Sequence, residues 1–311
     1  MAVQCTIFTH KDCLLHDTGE GHPEQIARLV VILEALKKPQ FQSLVWQEAP
    51  KADIGDLCRA HSAEYVREML QAAPASGYRA LDSDTIISPK SIESALRSAG
   101  AVVAAVDDVL TGKTKTAFCA VRPPGHHATR DSAMGFCIFS NLAIGGLHAV
   151  QVHGLKRVAI VDFDVHHGNG TADIIDGHPE FLFISTHQHP FYPHTGDPLT
   201  TGKIGNIVNV PLRPGEGSAR FRQVYTEKIL PALEDFKPEL VLISAGFDAH
   251  KDDPLAGLRL TEDDYAWVTR ELKKMADKHC EGRIVSVLEG GYNLEALAAS
   301  VAAHVAALMS C

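Results

Sequence analysis

The chain has little that would cross-link it or anchor it. Its 311 residues include seven cysteines, an odd number, and none of them stands in a C-x-x-C pair. A disulfide framework and a cysteine-rich zinc site are both disfavoured, and a reducing compartment is expected. No apolar run approaches the length of a membrane span, and the first residues, MAVQCTIFTHKDC, do not resemble a secretory signal. We therefore expect a cytoplasmic protein without a membrane partner.

Positive charge is also scarce. The 29 Lys and Arg residues stand against 38 Asp and Glu, which gives a formal net charge of -9. A protein that binds nucleic acid through phosphate contacts needs a basic surface, so direct nucleic-acid binding is disfavoured. A hydrophobic content of 45% is ample for a large core. The composition indicates a globular protein whose charge is compatible with a cationic substrate.

The sequence does contain an alternation of short apolar runs and longer helical patterns. The apolar runs are nearly continuous, as strands buried on both faces require. Their alternation with helices predicts a mostly parallel central sheet between two helical layers, and nothing divides the chain, so residues 1–311 are expected to form one α/β domain. The predicted strands are 3–9, 116–121, 157–162, 181–186, 206–211, 239–245 and 283–289, and the predicted helices are 23–37, 63–72, 89–110, 141–152, 218–236, 261–278 and 294–309.

Side chains that can carry out chemistry follow five of these strands. The segments are RPPGHHA, DFDVHHGNG, STHQHPFYPHTGD, SAGFDAH and LEGGYN. The carboxyl ends of parallel strands meet at one edge of a sheet, where ligands bind. We therefore expect these segments to build one site. Five other histidines are expected to be surface or core groups: His10, His61, His148, His153 and His279.

The segment DFDVHHGNG has a spacing suited to a metal ion. Asp162, Asp164 and His166 are two residues apart, so up to three side chains can face one point on an extended backbone. Asp248, in the turn after another strand, can supply the remaining ligand. A mixture of carboxylates and imidazole is compatible with zinc, ferrous iron or cobalt.

Taken together, these segments resemble the metal-dependent histone deacetylase family, which has the arginase/deacetylase fold. RPPGHHA, MGFC, the Asn of HHGNG and EGGYN are similar to the class II branch and its bacterial deacetylase-like amidohydrolases. The resemblance extends over residues 19–293. It implies a single deacetylase catalytic domain that hydrolyses the acetamide of Nε-acetyl-lysine in peptides or proteins and releases acetate and the lysine amine.

The resemblance also implies catalytic roles. His126 and His127 would act as base and acid beside a metal-bound water, and Tyr292 would stabilise the oxyanion. Asp162 would orient His126, and Asn169 would pair with His127. Because another branch of the family has Asp at this last position, the Asn should leave the paired imidazole less cationic.

Two metal sites are implied as well. One zinc ion per chain would be held by Asp164, His166 and Asp248. A structural potassium ion would lie beneath it, and its ligands would be Asp162, Ser185 and the backbone carbonyls of Asp164, His166 and Thr186.

The substrate would enter through a narrow apolar tunnel. The residues at the matching positions are Gly135, Phe136 and Tyr192, with Leu255 at the rim, and two aromatic walls can enclose the four-carbon chain of lysine. Asp84 would accept a backbone N–H of the substrate. Arg28 and His22 are expected to shape the floor of the site, although the arginine could equally be a structural cap.

Three alternatives remain open. Polyamine-selecting relatives carry an acid at the rim, where this chain has Leu255, but Asp252 and Asp253 stand close by, so small acetylated amines such as acetylpolyamines are the second substrate class. A two-metal ureohydrolase would need a closely spaced acid pair after the strand, and His250 breaks that pattern. A non-catalytic acetyl-lysine reader is disfavoured because every catalytic position is occupied.

Overall fold

The structure, a computed structural model that describes residues 3–310, is built on an eight-stranded sheet in which all neighbouring strands run parallel. The ten strands in chain order are β1 (Val3–Thr9), β2 (Val45–Glu48), β3 (Arg79–Ala80), β4 (Ile86–Ile87), β5 (Thr114–Cys119), β6 (Val158–Asp162), β7 (Phe181–Gln188), β8 (Ile207–Leu212), β9 (Leu240–Ala245) and β10 (Ile284–Leu288). The order in the large sheet is β2-β1-β5-β10-β9-β6-β7-β8, and β3 and β4 form a separate antiparallel pair.

Helices cover both faces of the sheet. They are α1 (Ile26–Leu36), α2 (Ile54–Ala60), α3 (Ala63–Leu70), α4 (Ser91–Leu110), α5 (Asn141–Gln151), α6 (Asn169–Ile175), α7 (Ser218–Val224), α8 (Leu230–Phe236), α9 (Glu262–His279) and α10 (Leu294–Met309). One layer contains α1 and α7–α10, and the other contains α2–α6. The strands β6, β7, β9 and β10 are buried along their whole length, and one continuous hydrophobic core joins the sheet to both layers.

The predicted fold class is confirmed. All seven predicted strands are present, with ends shifted by two residues or fewer; the two-residue strands β3 and β4 were missed, and so was β2. This strand lies at the edge of the sheet, where Val45 and Trp46 stay partly exposed, so no apolar run marks it. The short helices α2 and α6 were missed because seven residues carry too little periodicity.

The helix predicted over residues 218–236 is not one continuous α-helix. Residues 218–236 contain α7, a π-helical turn over Tyr225–Ile229 and then α8. Pro231 lies in the first turn of α8. A proline lacks the N–H of a helical hydrogen bond, and its ring clashes with the carbonyl four residues earlier. The helix therefore widens into a π-helical turn before Pro231.

Within residues 3–310, no helix combines the length and the apolar character that crossing a membrane requires.

Candidate active site

The five predicted segments lie at the carboxyl ends of five strands that are neighbours in the sheet. The order β5-β10-β9-β6-β7 places their carboxyl ends side by side, which confirms the prediction of one rim. Hydrogen bonds tie the segments together. Gly290 donates its N–H to Asp164 Oδ2 at 2.8 Å, and Val165 donates its N–H to Asp248 Oδ1 at 2.9 Å.

Asp164, His166 and Asp248 form a buried cluster at the centre of the rim. His166 Nδ1 lies 3.0 Å from Asp164 Oδ1 and 3.2 Å from Asp248 Oδ2, and one ligand atom from each residue lies within 4.8 Å of the others. Both carboxylates are fully buried, and Asp248 Oδ2 accepts no hydrogen bond from the described residues. Asp162, which shares the spacing, points its carboxylate to His126 instead.

The electrostatics of the cluster favour a cation. Burial lowers the pKa of His166, but its close contacts with the carboxylates of Asp164 and Asp248 outweigh it and raise that pKa to about 10. Two buried carboxylates around one imidazole therefore bind a positive charge strongly, and a free carboxylate oxygen remains for it. Carboxylate and imidazole donors at these positions fit a zinc-type divalent ion. Asp164, His166 and Asp248 are the residues that would hold it.

The two histidines of RPPGHHA lie together beside this cluster. Their rings are 4.0 Å apart between centroids, and His126 Nε2 is 3.8 Å from Asp164 Oδ2. His126 Nδ1 contacts Asp162 Oδ2 at 3.0 Å, and His127 Nδ1 contacts Asn169 Oδ1 at 2.7 Å. Because an amide oxygen can only accept a hydrogen bond, His127 donates its Nδ1–H to Asn169. When the His127 ring is neutral, its Nε2 therefore carries a lone pair.

The two imidazoles differ in basicity. Burial lowers the pKa of His126, but the charges of Asp164 and Asp162 outweigh it and raise that pKa to about 10. Burial lowers the pKa of His127 well below its ordinary value, and the neighbouring imidazoles of His126 and His166 lower it further. His126 is therefore the more basic ring of the pair.

Tyr292 follows the double-glycine turn after β10. Its ring lies between the Arg28 guanidinium, 4.9 Å from the centroid, and the ring of Phe136, 5.9 Å away. Burial and the charge of Asp248 raise the pKa of the phenol well above its ordinary value, so the hydroxyl stays protonated. This hydroxyl makes no hydrogen bond to any residue in 3–310 and is available to a ligand. A side chain at Gly290 would overlap the Asp248 carboxylate, which explains the glycine.

Arg28 binds the backbone of this turn. Its Nε donates to Gly291 O at 2.6 Å and its Nη2 donates to Glu289 O at 2.5 Å. Glu24 binds Arg28 Nη1 at 2.8 Å and Arg122 Nε at 2.6 Å, and all three side chains are fully buried. The arginine is therefore part of a structural ion network under the site.

Three of the predicted tunnel residues lie close to histidines of the site. Tyr192 lies 5.3 Å from the His127 ring, and Phe136 lies 4.8 Å from the His22 ring. Gly135 and Phe136 both have positive φ, and a Cβ at the glycine would overlap His127. This strained backbone allows the loop of Gly135 and Phe136 to pack directly against His127. His22, expected at the floor of the site, thus packs against the Phe136 ring.

Asp84 is linked to the loop of Phe136 through Thr85. The Thr85 hydroxyl donates to the Asp84 carboxylate at 3.2 Å and accepts the N–H of Phe136 at 3.1 Å. Burial and the charge of Asp82 raise the pKa of Asp84. Leu255 is 38% exposed, and its N–H binds the Asp253 carboxylate.

Of the five predicted potassium ligands, Asp162, Ser185 and Thr186 lie on the adjacent strands β6 and β7, and Asp164 and His166 follow β6. Asp162 and Ser185 are paired in the register of β6 and β7, and the Thr186 hydroxyl donates to Asp162 O at 3.4 Å. Both oxygens of the Asp162 carboxylate are engaged, since the second accepts the N–H of Asp164 at 3.0 Å.

Two buried acids of the site were missed by the sequence analysis as functional residues. Glu289 accepts the backbone N–H of Gly125 at 2.7 Å and that of His126 at 3.1 Å, so it holds the histidine loop, and burial raises its pKa to about 7. Asp253, expected at the rim, turns inward and accepts the N–H of Tyr292 at 2.8 Å. For Glu289, the sequence signal that could have indicated a functional role was an acidic residue directly after a buried strand.

Comparison with known proteins agrees with this geometry. A model of the histone deacetylase domain family matches residues 22–308, and the chain belongs to that family. The crystal structure of the HDA15 HD domain superposes with a TM-score of 0.93 at 35% identity, covering 98% of this chain and 88% of that one.

Curated relatives differ in their named activities. The histone deacetylase-like amidohydrolase of Pseudomonas aeruginosa is 42% identical over 280 residues, 88% of this chain and 73% of that protein. The polyamine deacetylase HDAC10 of Homo sapiens is 37% identical over 312 aligned residues, 95% of this chain and 46% of that protein. The share of a relative's own length that this chain spans varies from 20% to 96%. Hydrolase activity of the deacetylase type is therefore supported, and the relatives leave the substrate open.

Proposed function

We propose that the protein is a zinc-dependent deacetylase that hydrolyses the acetamide of Nε-acetyl-lysine in peptides or proteins. The observation that carries this proposal is the buried Asp164–His166–Asp248 cluster, with an unlike pair of histidines on one side and a free phenol nearby. An aromatic entrance leads to it. Such a set suits hydrolysis of a neutral amide at the end of a slender apolar chain.

A divalent ion at this cluster would supply Lewis acidity, polarising the amide carbonyl and making a water molecule more acidic. The protein groups supply proton transfer and positioning. His127 is held neutral with its Nδ1–H on Asn169, so its Nε2 can accept the proton of the attacking water. The same nitrogen can then deliver a proton to the leaving amine.

His126 has a different part in this proposal. Its contact with Asp162 fixes the ring orientation, and the Asp162 carboxylate makes this imidazole the more basic of the pair. Tyr292 donates its O–H to the carbonyl oxygen as negative charge develops there. Gly135, Phe136 and Tyr192 enclose the methylene chain and limit access of other water molecules.

The substrate class follows from the rim. Leu255 offers no charge to a second ammonium group, and Asp253 is turned inward to the Tyr292 backbone. A peptide is favoured on this ground, with Asp84 as the acceptor of a substrate N–H. Acetylpolyamines remain the second candidate because Asp252 is exposed next to the rim and a polyamine deacetylase is among the relatives.

We also propose that residues 1–311 act as one catalytic domain in the cytoplasm, with a structural potassium ion at Asp162 and Ser185. The six cysteines of residues 3–310 are free, as expected in a reducing compartment. Met1, Ala2 and Cys311 of this range lie outside the described residues.

The proposed function is tested by acetate release from purified protein that has been stripped with a chelator and reloaded with zinc. An acetyl-lysine peptide and N-acetylputrescine are compared at equal concentration. We expect turnover to return with zinc and kcat/KM to favour the peptide. Asp248→Ala should lose tight zinc binding and turnover, whereas the exposed control Asp252→Ala should keep both. Full turnover of Asp248→Ala would overturn the ligand assignment, and a large preference for N-acetylputrescine would reverse the substrate assignment.

A further inference from the structure

A second group of metal-ligating side chains lies away from the active site. Asp107 is in the last turn of α4, His148 is near the end of α5, and His153 follows two residues after that helix. The helix α4 leads into the start of β5, and α5 leads into the start of β6. The group, here termed the α4–α5 cluster, therefore lies at the amino-terminal edge of the sheet, opposite the catalytic rim.

The three side chains converge on one point. His148 Nε2 is 2.8 Å from Asp107 Oδ1, and His153 Nε2 is 2.6 Å from the same oxygen. The two rings are 5.4 Å apart and inclined by 69°. One atom from each of the three residues lies within 4.8 Å of the others. Two imidazole nitrogens and a carboxylate oxygen in this arrangement match the protein ligands of a zinc-type ion that keeps a fourth position for water.

The backbone explains how a histidine outside the helix reaches this point. After α5 ends, Gly154 adopts a positive φ of 74°, its N–H bonds Val150 O at 3.1 Å, and the N–H of Leu155 bonds Ala149 O at 3.2 Å. The chain folds back on the end of the helix. His153 is thus brought beside His148 although four residues separate them in sequence.

A carboxylate stands behind one of the histidines. His148 is buried, its Nδ1 has no hydrogen-bond partner among residues 3–310, and Asp56 Oδ1 lies 3.7 Å from it. Asp56 is itself fixed, because it closes the capping box of α2 with Asp53 and pairs with Arg59. Metal-bound histidines are commonly oriented by a carboxylate at the second ring nitrogen.

The cluster is open to solvent on its other side. The side chains of Asp107 and His153 are 45% and 24% exposed, so an ion and a water ligand can reach it. We propose that Asp107, His148 and His153 bind a second divalent ion of the zinc type. The ion fastens the end of α4 to the end of α5, and it takes no part in the hydrolysis at the opposite edge.

The test counts zinc ions per chain after equilibrium dialysis against buffered zinc. Wild type is expected to hold two ions, His153→Ala and Asp248→Ala one each, and the double variant none. The matched control is His279→Ala, because His279 also contacts an acid, Glu234 at 3.1 Å, without a second histidine. This control should keep two ions. Loss of an ion from His153→Ala is independent of whether Asp248 is a ligand, so the two sites are judged separately.

A second measurement excludes an effect of misfolding. In the Asp248→Ala background, zinc should raise Tm, because an ion that binds only the folded state stabilises it. Adding His153→Ala or the conservative Asp107→Asn should abolish the zinc-dependent rise while Tm without zinc stays close to the parent. Cobalt should give the visible absorption of a tetrahedral site in the same background. Equal zinc content in wild type and His153→Ala, or an unchanged zinc-dependent rise in Tm, would refute the α4–α5 cluster as a metal site.

Discussion

Asp253 holds the backbone of Tyr292: its Oδ2 accepts the tyrosine N–H at 2.8 Å, and its Oδ1 accepts the N–H of Leu255 at 3.0 Å. The side chain is 8% exposed. The proposed oxyanion donor and the rim of the tunnel therefore share one buried carboxylate. This relationship makes Asp253 a positioning residue that acts through Tyr292.

Asp253→Asn should lower kcat because an amide has one acceptor oxygen and would place N–H groups against a backbone donor. The expected loss is roughly tenfold to hundredfold, with KM nearly unchanged, as for a small displacement of a catalytic group. Steady-state kinetics on an acetyl-lysine peptide measures both constants, and Asp252→Asn is the exposed control. In a Tyr292→Phe background the substitution should have little further effect. A full additional loss there would show that Asp253 acts by another route.

Tyr292→Phe should abolish most turnover without emptying the site. Removing one donor to a developing oxyanion costs about 10²–10³ in kcat. A hydroxamate inhibitor should still bind, because the cluster of Asp164, His166 and Asp248 is intact. Tyr78→Phe is the matched control, since the Tyr78 hydroxyl bonds Asp17 at 2.9 Å on the surface. Unchanged kcat in Tyr292→Phe would remove the phenol from the mechanism.

The fold could be predicted largely because buried parallel strands leave continuous apolar runs in the sequence. The same runs place the segments that follow them at one edge, so the convergence of Asp164, Asp248 and Tyr292 follows from topology. An exposed edge strand such as β2 leaves no such run. The π-helical turn before Pro231 was missed because its apolar spacing resembles that of an ordinary helix.

The supporting groups could not be found in the same way. Glu289 and Asp253 accept hydrogen bonds from backbone N–H groups of residues far away in the sequence. Because every residue type except proline has such an N–H group, the sequence does not mark these partners. His148 and His153 are five residues apart, which does not match one face of a helix, and only the reversal at Gly154 brings them together. Surface or core roles were expected for both, whereas the structure joins them on Asp107.

Glu24→Gln should destabilise the fold strongly. Burial raises the pKa of Glu24, but the charges of Arg122 and Arg28 outweigh it and hold the pKa at about 2. Removing this charge leaves two buried guanidinium groups without a counterion, which costs about 3–5 kcal/mol in comparable cases. Denaturant unfolding at neutral pH measures the loss. Glu20→Gln, at an exposed position, should change stability by less than about 0.5 kcal/mol. A loss from Glu24→Gln as small as the control's would contradict a role in the network.

Stability should fall in mild acid through the buried His61. Its Nδ1 donates to Thr129 O at 2.9 Å and its Nε2 accepts the N–H of Ser140 at 3.0 Å, so the ring is neutral in the folded chain. Burial lowers its pKa to about 4. A histidine with a depressed folded pKa favours folding above its unfolded pKa of about 6.5, and this contribution is lost as pH falls from there through the folded value.

Between pH 7.5 and pH 5, this one group should therefore remove about 2 kcal/mol from the free energy of unfolding. His61→Gln will lower stability at pH 7.5 through its lost hydrogen bonds, but its decline towards pH 5 should be smaller than that of wild type by about the same 2 kcal/mol. Urea titrations at both pH values give the difference between the two slopes. Identical slopes for wild type and His61→Gln would mean that His61 is already protonated in the folded protein, contrary to its acceptor contact with Ser140.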